Sequence, residues 1–402
     1  MRKLEKNEKL LLAGQWTSHI GNIIFDYANS VTIVSAYAKT AIVLAVYQSS
    51  ETLISIFFNL IGGVMADGNS KKRIVIITDL LSALVCFVLS FFVESAFVAA
   101  VIVLANILLA VIYAFNSPTY KSIIREMIQK DRIGFYNSIA NGGSEVIKIA
   151  GPAVGLAMVN LVGVRGALLI DAATFLISAV CEAGLVALEQ GEMKKNEKSH
   201  ILSDMAEGFR YLFREKKILA LVILAALVNF FLAGYNLLIP YTDVMFQGVF
   251  TGFYSKVLIM EAAGGLAGSL ISSKMGAKSE ENTTAMILFL GGTGVSLLLV
   301  PLAGLSGNII CCLIPFLLFG TALTIFNIRF MSFVQVQVHQ NYLGRVFSII
   351  FTVAVLFMPV GSFVFSGLSK TDSLSSFLPV GIGIILLALA GLLVLSPKKN
   401  QM

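Results

Sequence analysis

Apolar residues along this chain gather into runs of roughly 20 positions, each long enough to cross the hydrocarbon core of a bilayer as a helix. Twelve such runs are predicted, near 11–37, 43–66, 74–93, 96–116, 137–161, 165–188, 217–241, 251–275, 283–304, 307–329, 343–368 and 374–396. A helix satisfies its own backbone groups in lipid, so runs with Gly and Pro such as "AGPAVGLAMVNLVG" still read as spans. The polar breaks are as regular as the apolar runs. In the first span Gln15, His19, Asn22 and Asp26 recur every three or four positions and share one helix face. Asn137, Asn141, Glu145, Lys148 and Pro152 form a second such stripe in the fifth span.

Composition places the chain firmly in the membrane. It is 57% hydrophobic and 13% charged over 402 residues, with a mean hydropathy of +0.87. A soluble domain carries about 25% charged residues. The expected fold is therefore all-α and polytopic. "MRKLEKNEK" precedes an apolar run too long for a signal peptide and without a small-residue cleavage pattern, and it reads as a cytoplasmic tail.

Charge sets the orientation. With a cytoplasmic N-terminus, every Lys and Arg falls on the inner face except Lys39, Arg165, Lys256 and Lys370 outside and Lys148 within a span. This bias predicts an even span count, both termini in the cytoplasm and a multi-pass cell-membrane protein. The net charge of +6 is then topological and gives no reason to expect nucleic acid. Cys86, Cys181, Cys311 and Cys312 lie in apolar spans and behave as small hydrophobes. His19, His200 and His339 lie in separate segments, so no metal site and no cofactor are expected.

The longest polar stretch, "EQGEMKKNEKSHILSDMAEGFRYLFREKK", divides the chain into a six-helix half at 1–188, a linker at 189–216 and a second six-helix half at 217–402. Within the linker Ile201, Leu202, Met205, Phe209, Leu212 and Phe213 fall at helical spacing beside Arg210 and Arg214, which suggests a helix lying on the inner membrane surface. "AFNSP" ends the fourth span and "IFNIR" the tenth, a faint internal repeat.

Several motifs carry a family resemblance. "GGVMADGNSKKR" after the second span resembles the Gly-x-x-x-Asp-Arg-x-Gly-Arg-Lys loop of major facilitator transporters: Gly63 and Asp67 match and Lys71, Lys72 and Arg73 keep the basic run, while Gly68 and Ser70 replace Arg and Gly. "IAGPAVGLA" is similar to the Gly-Pro-x-x-Gly core of that family's antiporter branch at Gly151, Pro152 and Gly155, with Ile147 and Leu156 departing from it. A packing kink explains these small residues as well. "NYLGRVFSIIFTVAVLFMPVGSFVFSGLS" resembles the eleventh helix of macrolide efflux pumps of Gram-positive bacteria, and "ALLIDAATFLISA" the sixth helix of the wider drug and siderophore exporter group. The resemblance implies twelve helices in two halves around a central site, a bacterial source, a small-molecule substrate, protons as partner and a monomer. It also implies an inner gating set of Gly63, Asp67, Lys71, Lys72, Arg73 and Arg345.

Asp26 is the leading candidate for proton coupling. A carboxylate at bilayer depth costs about 2.5–3.5 kcal/mol on insertion scales, so it should face water or a partner. Desolvation favours the neutral acid, as a group that takes a proton on one side and releases it on the other requires. His19 can pass that proton on, and Glu145 and Glu261 are further coupling candidates; a stripe that merely wets the cavity remains the alternative for Asp26, and a Glu145–Lys148 ion pair for Glu145. Asp171 is a further candidate, with a structural contact to a neighbouring helix as its alternative, and Asp79 and Glu182, near span ends, read as solvated. Asn22, Tyr113, Asn116, Lys148, Asn229, Asn236 and Asn327 are the cavity candidates, suited to orient an amphipathic molecule. No ATP-binding GxxxxGK[ST] run and no nucleophile–base pair emerges, so an enzyme is not expected. The expectation is a proton-coupled exporter of lipophilic or amphipathic small molecules. A siderophore or metabolite transporter, and a membrane sensor or assembly subunit, are the alternatives.

Overall fold

The computed structural model describes residues 4–66, 71–186, 210, 212–275, 283–338 and 343–395. Among these residues the regular structure is helical, and eleven helices are long: α1 Lys6–Ala36, α2 Ile42–Ala66, α3 Lys71–Leu89, α4 Val98–Met127, α5 Ile133–Ala183, α6 Lys216–Leu238, α7 Phe253–Lys274, α8 Thr283–Gly304, α9 Ile309–Gln337, α10 Leu343–Leu368 and α11 Phe377–Leu395. Each predicted span has its helix, except that the fifth and sixth are the two arms of α5. They break at Gly163, whose φ of 71° lies in the left-handed region that a Cβ disfavours. Most of the predicted linker, all but 210 and 212–216, lies outside the described residues, as does Asp67.

Among the described residues six stretches are each long and apolar enough to cross a membrane on their own. The first helix is not among them, because its polar stripe lowers its hydropathy. It is instead a central packing element, lying against both arms of α5.

The chain divides into two compact units. The first comprises Met1–Tyr37 and Val46–Lys195, the second Ala38–Ala45 and Asn196–Met402. The segment 38–45 groups with the second unit, where the Tyr241 hydroxyl donates to the Thr40 carbonyl at 2.8 Å and Thr371 to that of Ala38 at 2.5 Å.

In the first unit small residues let helices approach closely. On the first arm of α5, a Cβ at Gly151 would stand 2.6 Å from the Ile23 Cγ2, and one at Gly155 would stand 2.9 Å from the Tyr27 Cβ. These are the residues of the antiporter-like motif, and their role in the structure is to seat α1. Trp16 continues the seam, its Nε1 donating to the Ala140 carbonyl at 3.3 Å. In the second unit α7 packs on α9, α6 on α10, and α8 on both α9 and α11.

Candidate functional site

The first unit encloses a cavity of about 710 Å³, within the size range of small-molecule sites. The α1 stripe forms one wall: Gln15, Ser18, His19, Asn22 and Asp26 all line it. Glu51 of α2, Asp79 of α3, Tyr113 and Asn116 of α4, and Tyr136, Asn137 and Glu182 of α5 add to the polar lining. The stripe predicted from spacing is thus one face of one cavity.

Asp26 is exposed to that cavity. Its Oδ1 accepts a hydrogen bond from the Tyr47 hydroxyl at 3.0 Å. The Asn106 amide holds Tyr47 in place by donating to its carbonyl at 2.9 Å and to the Ser50 Oγ at 3.2 Å. Glu51, one helical turn after Tyr47, faces the same space and its charge opposes that of Asp26. Among the described lining residues there are four carboxyls, one imidazole and no Lys or Arg. Such a space attracts positive charge.

At the other end of the cavity the Asn116 amide donates to the Thr78 Oγ1 at 2.7 Å and to the Asp79 Oδ1 at 3.2 Å. Asp79 and Glu182, expected to be solvated, are only 5% and 2% exposed. The reason is tertiary, the packing of α3 against α4 and α5. Lys72 on α3 donates to the Ala183 and Leu185 carbonyls at 2.7 and 2.8 Å, capping the end of α5 and drawing it over α3.

A charged cluster closes this end of the unit. Glu8 takes a bidentate pair from Arg132, with Nε at 2.7 Å and Nη2 at 2.6 Å, while Glu5 lies 3.3 Å from Nε. The hydrogen bonds that Arg132 donates to Glu8 raise its guanidinium above the ordinary arginine value. Lys71 pairs with Glu126 at 2.6 Å. Lys71 and Lys72 of the predicted gating run therefore fasten α3 to α4 and α5, whereas Arg73 is exposed. Gly63 lies in α2 and Arg345 in α10, and their surroundings fall outside the described side chains.

Asp171 is fully buried away from the cavity lining, accepting from the Cys86 thiol at 3.1 Å and from Thr174 at 3.3 Å. It joins α5 to α3. In the second unit Glu261 accepts from the Tyr235 hydroxyl at 2.8 Å, and the Tyr235 ring stacks on Phe319 at 3.9 Å between centroids.

A family model described as Major Facilitator Superfamily matches residues 11–362. The chain belongs to the Major Facilitator Superfamily. As a member it is a multi-pass membrane transporter of small molecules and not an enzyme. Among curated proteins, Macrolide efflux protein A of Streptococcus pyogenes is 24% identical over 355 residues, 87% of this chain and 86% of its own length. Multidrug efflux pump Tap of Mycobacterium tuberculosis is 24% identical over 354 residues, covering 85% and 82%. In the solved structures, the nucleoside transporter NupG superposes with a TM-score of 0.78 at 14% identity, over 98% of this chain and all of that one. A bacterial homologue of the iron transporter ferroportin reaches 0.76 at 15% identity, again over 98% of this chain. These likenesses establish the fold, and the sequence-based expectation of a twelve-helix major facilitator transporter stands.

Within this superfamily member the cavity gathers Asp26, His19, Asn22, Tyr113 and Asn116 from the residues singled out in the sequence. Lys148 is exposed and not among the lining residues, and the Glu145 side chain lies outside those described. Asn229 donates to the Ala225 carbonyl of its own helix at 2.9 Å. Asn236 and Asn327 are exposed, and Glu261 belongs to the second unit. Sequence reasoning missed Tyr47 and Glu51. Their spacing of four within a span is the same signal that marked His19, Asn22 and Asp26, although here it lies in the polar run Gln48, Ser49, Ser50 and Thr52.

Proposed function

We propose that this transporter exports lipophilic and amphipathic small molecules of the macrolide or multidrug class, in exchange for protons, with Asp26 as the coupling acid. The observation that carries the reading is a carboxyl on α1 that faces a cavity of about 710 Å³ and is held by the Tyr47 hydroxyl, with no Lys or Arg among the described lining residues to hold its charge permanently. A carboxyl so placed exchanges its proton with the cavity rather than spending the cycle in a fixed ion pair. Asn22, Tyr113 and Asn116 offer hydrogen bonds to a substrate whose apolar body lies on Ile23, Phe25, Leu109 and Phe175. The names of the relatives, a macrolide efflux protein and a multidrug efflux pump, support the substrate class.

Transport would proceed by alternating access, the cavity opening to one side of the membrane at a time. One proton crossing 100 mV releases about 2.3 kcal/mol, enough for roughly a 50-fold substrate gradient. One coupling acid therefore suffices.

The test is accumulation of erythromycin and of ethidium in cells that express the protein, before and after the proton gradient is collapsed. Low accumulation that rises on collapse is expected, and Asp26→Asn should abolish the difference while the protein remains folded in the membrane. Gradient-dependent efflux that survives Asp26→Asn removes Asp26 from the mechanism. Efflux indifferent to the gradient removes the proton.

A further inference from the structure

Polar side chains make up most of the cavity wall, the reverse of the common small-molecule site, which is predominantly apolar with a few polar groups. Some of these groups are already committed within the protein. Tyr47 holds Asp26, and the NH2 groups of Asn106 and Asn116 are spent on α2 and α3. Others are not. Glu51, Asn22 and Asn137 are exposed and line the cavity, and among the described residues none of the three makes a hydrogen bond or an ion pair.

The uncommitted groups are laid out along α1. Glu51 stands at the Asp26 end, since it follows Tyr47 by one helical turn and the Tyr47 hydroxyl reaches Asp26 at 3.0 Å. Asn22 lies about 6 Å along α1 from Asp26, and Gln15 about 10 Å further, at 1.5 Å per residue. The Gln15 Oε1 meets the hydroxyl of Tyr136, the neighbour of Asn137, at 3.3 Å, which brings α5 to that end of the row. A charge therefore lies at one end and side-chain amides lead away from it.

A cargo has to answer both features. Glu51, with no Lys or Arg among the described lining residues, attracts a cation. Side-chain amides donate and accept together, so hydroxyls, which do the same, meet them in full, and hydrocarbon or an aromatic ring does not. A cargo that displaced water from Asn22 and Asn137 without hydroxyls of its own would leave them unpaired, the way a polar site rejects an analogue that lacks the matching group.

We propose that the cavity selects its cargo by a hydroxylated amine head, the chemistry of an amino sugar: the ammonium pairs with Glu51, and the hydroxyls bond Asn22 and, further along α1, Gln15 and Asn137. This narrows the substrate class proposed above and rests on that reading only in taking the cavity as the cargo site. Asp26, already held by Tyr47, is not called on, so recognition and coupling fall to different carboxyls.

The test compares three soluble amphiphiles that share an octyl tail. N-octylglucamine carries an amine and hydroxyls, octyl glucoside hydroxyls alone, and N-methyloctylamine the amine alone. Each is titrated by calorimetry at neutral pH, below its micelle-forming concentration, into the full chain in lipid nanodiscs, with the heat from empty nanodiscs subtracted. N-octylglucamine should bind the wild type at least about tenfold more tightly than either of the others. Glu51→Gln should bring it down to the level of octyl glucoside, and Asn22→Leu combined with Asn137→Leu to the level of N-methyloctylamine. The wild-type comparison needs no variant to fold. N-methyloctylamine binding as tightly as N-octylglucamine would overturn the proposal while leaving export of amphipathic amines standing; equal binding of octyl glucoside, or no binding of N-octylglucamine, would overturn it too. Loss of gradient dependence in the efflux assay above would instead strike the coupling and leave this order of binding untouched.

Discussion

Gly155→Ala tests whether the α1–α5 seam is set by backbone approach. The added methyl would lie 2.9 Å from the Tyr27 Cβ and 3.0 Å from its Cγ, where ordinary contact begins at 3.4 Å. Tyr27 is 3% exposed, and its Cβ can retreat only with the α1 backbone. Overpacking of this kind costs about 1–3 kcal/mol. The same substitution gains up to about 1 kcal/mol of helix propensity. Gly142→Ala, on the same arm with nothing within 4 Å of the new methyl, keeps the gain without the clash. The two variants should thus differ by about 1–3 kcal/mol, or roughly 5- to 150-fold in the unfolding equilibrium. Trp16 is the single tryptophan of the chain and donates across this seam, so its fluorescence during detergent-induced unfolding reports on the interface itself. Gly155→Ala should unfold at lower denaturing detergent and Gly142→Ala at equal or higher. Equal shifts in the two would refute the account of the seam.

Other substitutions separate the remaining contacts. Tyr235→Phe leaves Glu261 without its hydroxyl donor and should destabilise the second unit by about 1–3 kcal/mol; circular dichroism must follow it, since the only tryptophan lies in the first unit. Lys71→Ala breaks a partly buried ion pair with Glu126 and should cost about 1 kcal/mol, an effect that high salt reduces in the same unfolding assay. Arg132→Lys keeps the charge but cannot reproduce the two-pronged contact with Glu8, so purification should yield less folded protein than for the wild type. Asn106→Ala removes the brace on Tyr47 and, on the proposed function, should weaken gradient-dependent efflux while leaving the amount of protein in the membrane unchanged.

Hydropathy revealed the spans because lipid selects them by length and apolarity. It did not reveal where helices stop. The fourth helix runs on to Met127, well past the predicted end near 116, since "YKSIIREM" is polar enough to leave the membrane and still helical. Periodicity identified the α1 wall of the cavity, because one face of one helix is a local property. The placement of Asp79 and Glu182 was not legible: proximity to a span end suggested water, and the tertiary packing of α3 against α4 and α5 buries them. Likewise the Gly-Pro-x-x-Gly motif announced small residues without saying that Ile23 and Tyr27 occupy the space they leave.

The single-residue break at Gly163 bears on biogenesis. Two arms joined without a connecting loop leave the ribosome as one hairpin, and they can enter the bilayer together, shielding each other's polar faces as they do. The second arm brings Asp171, whose partner Cys86 lies on α3 and has been synthesised earlier. An isolated helix carrying that acid would insert poorly; delivered as a hairpin onto waiting neighbours, it meets its thiol donor on arrival. Lengthening the turn at Gly163 with a flexible insert would uncouple the arms, and a glycosylation reporter placed in the insert would then record the second arm failing to insert.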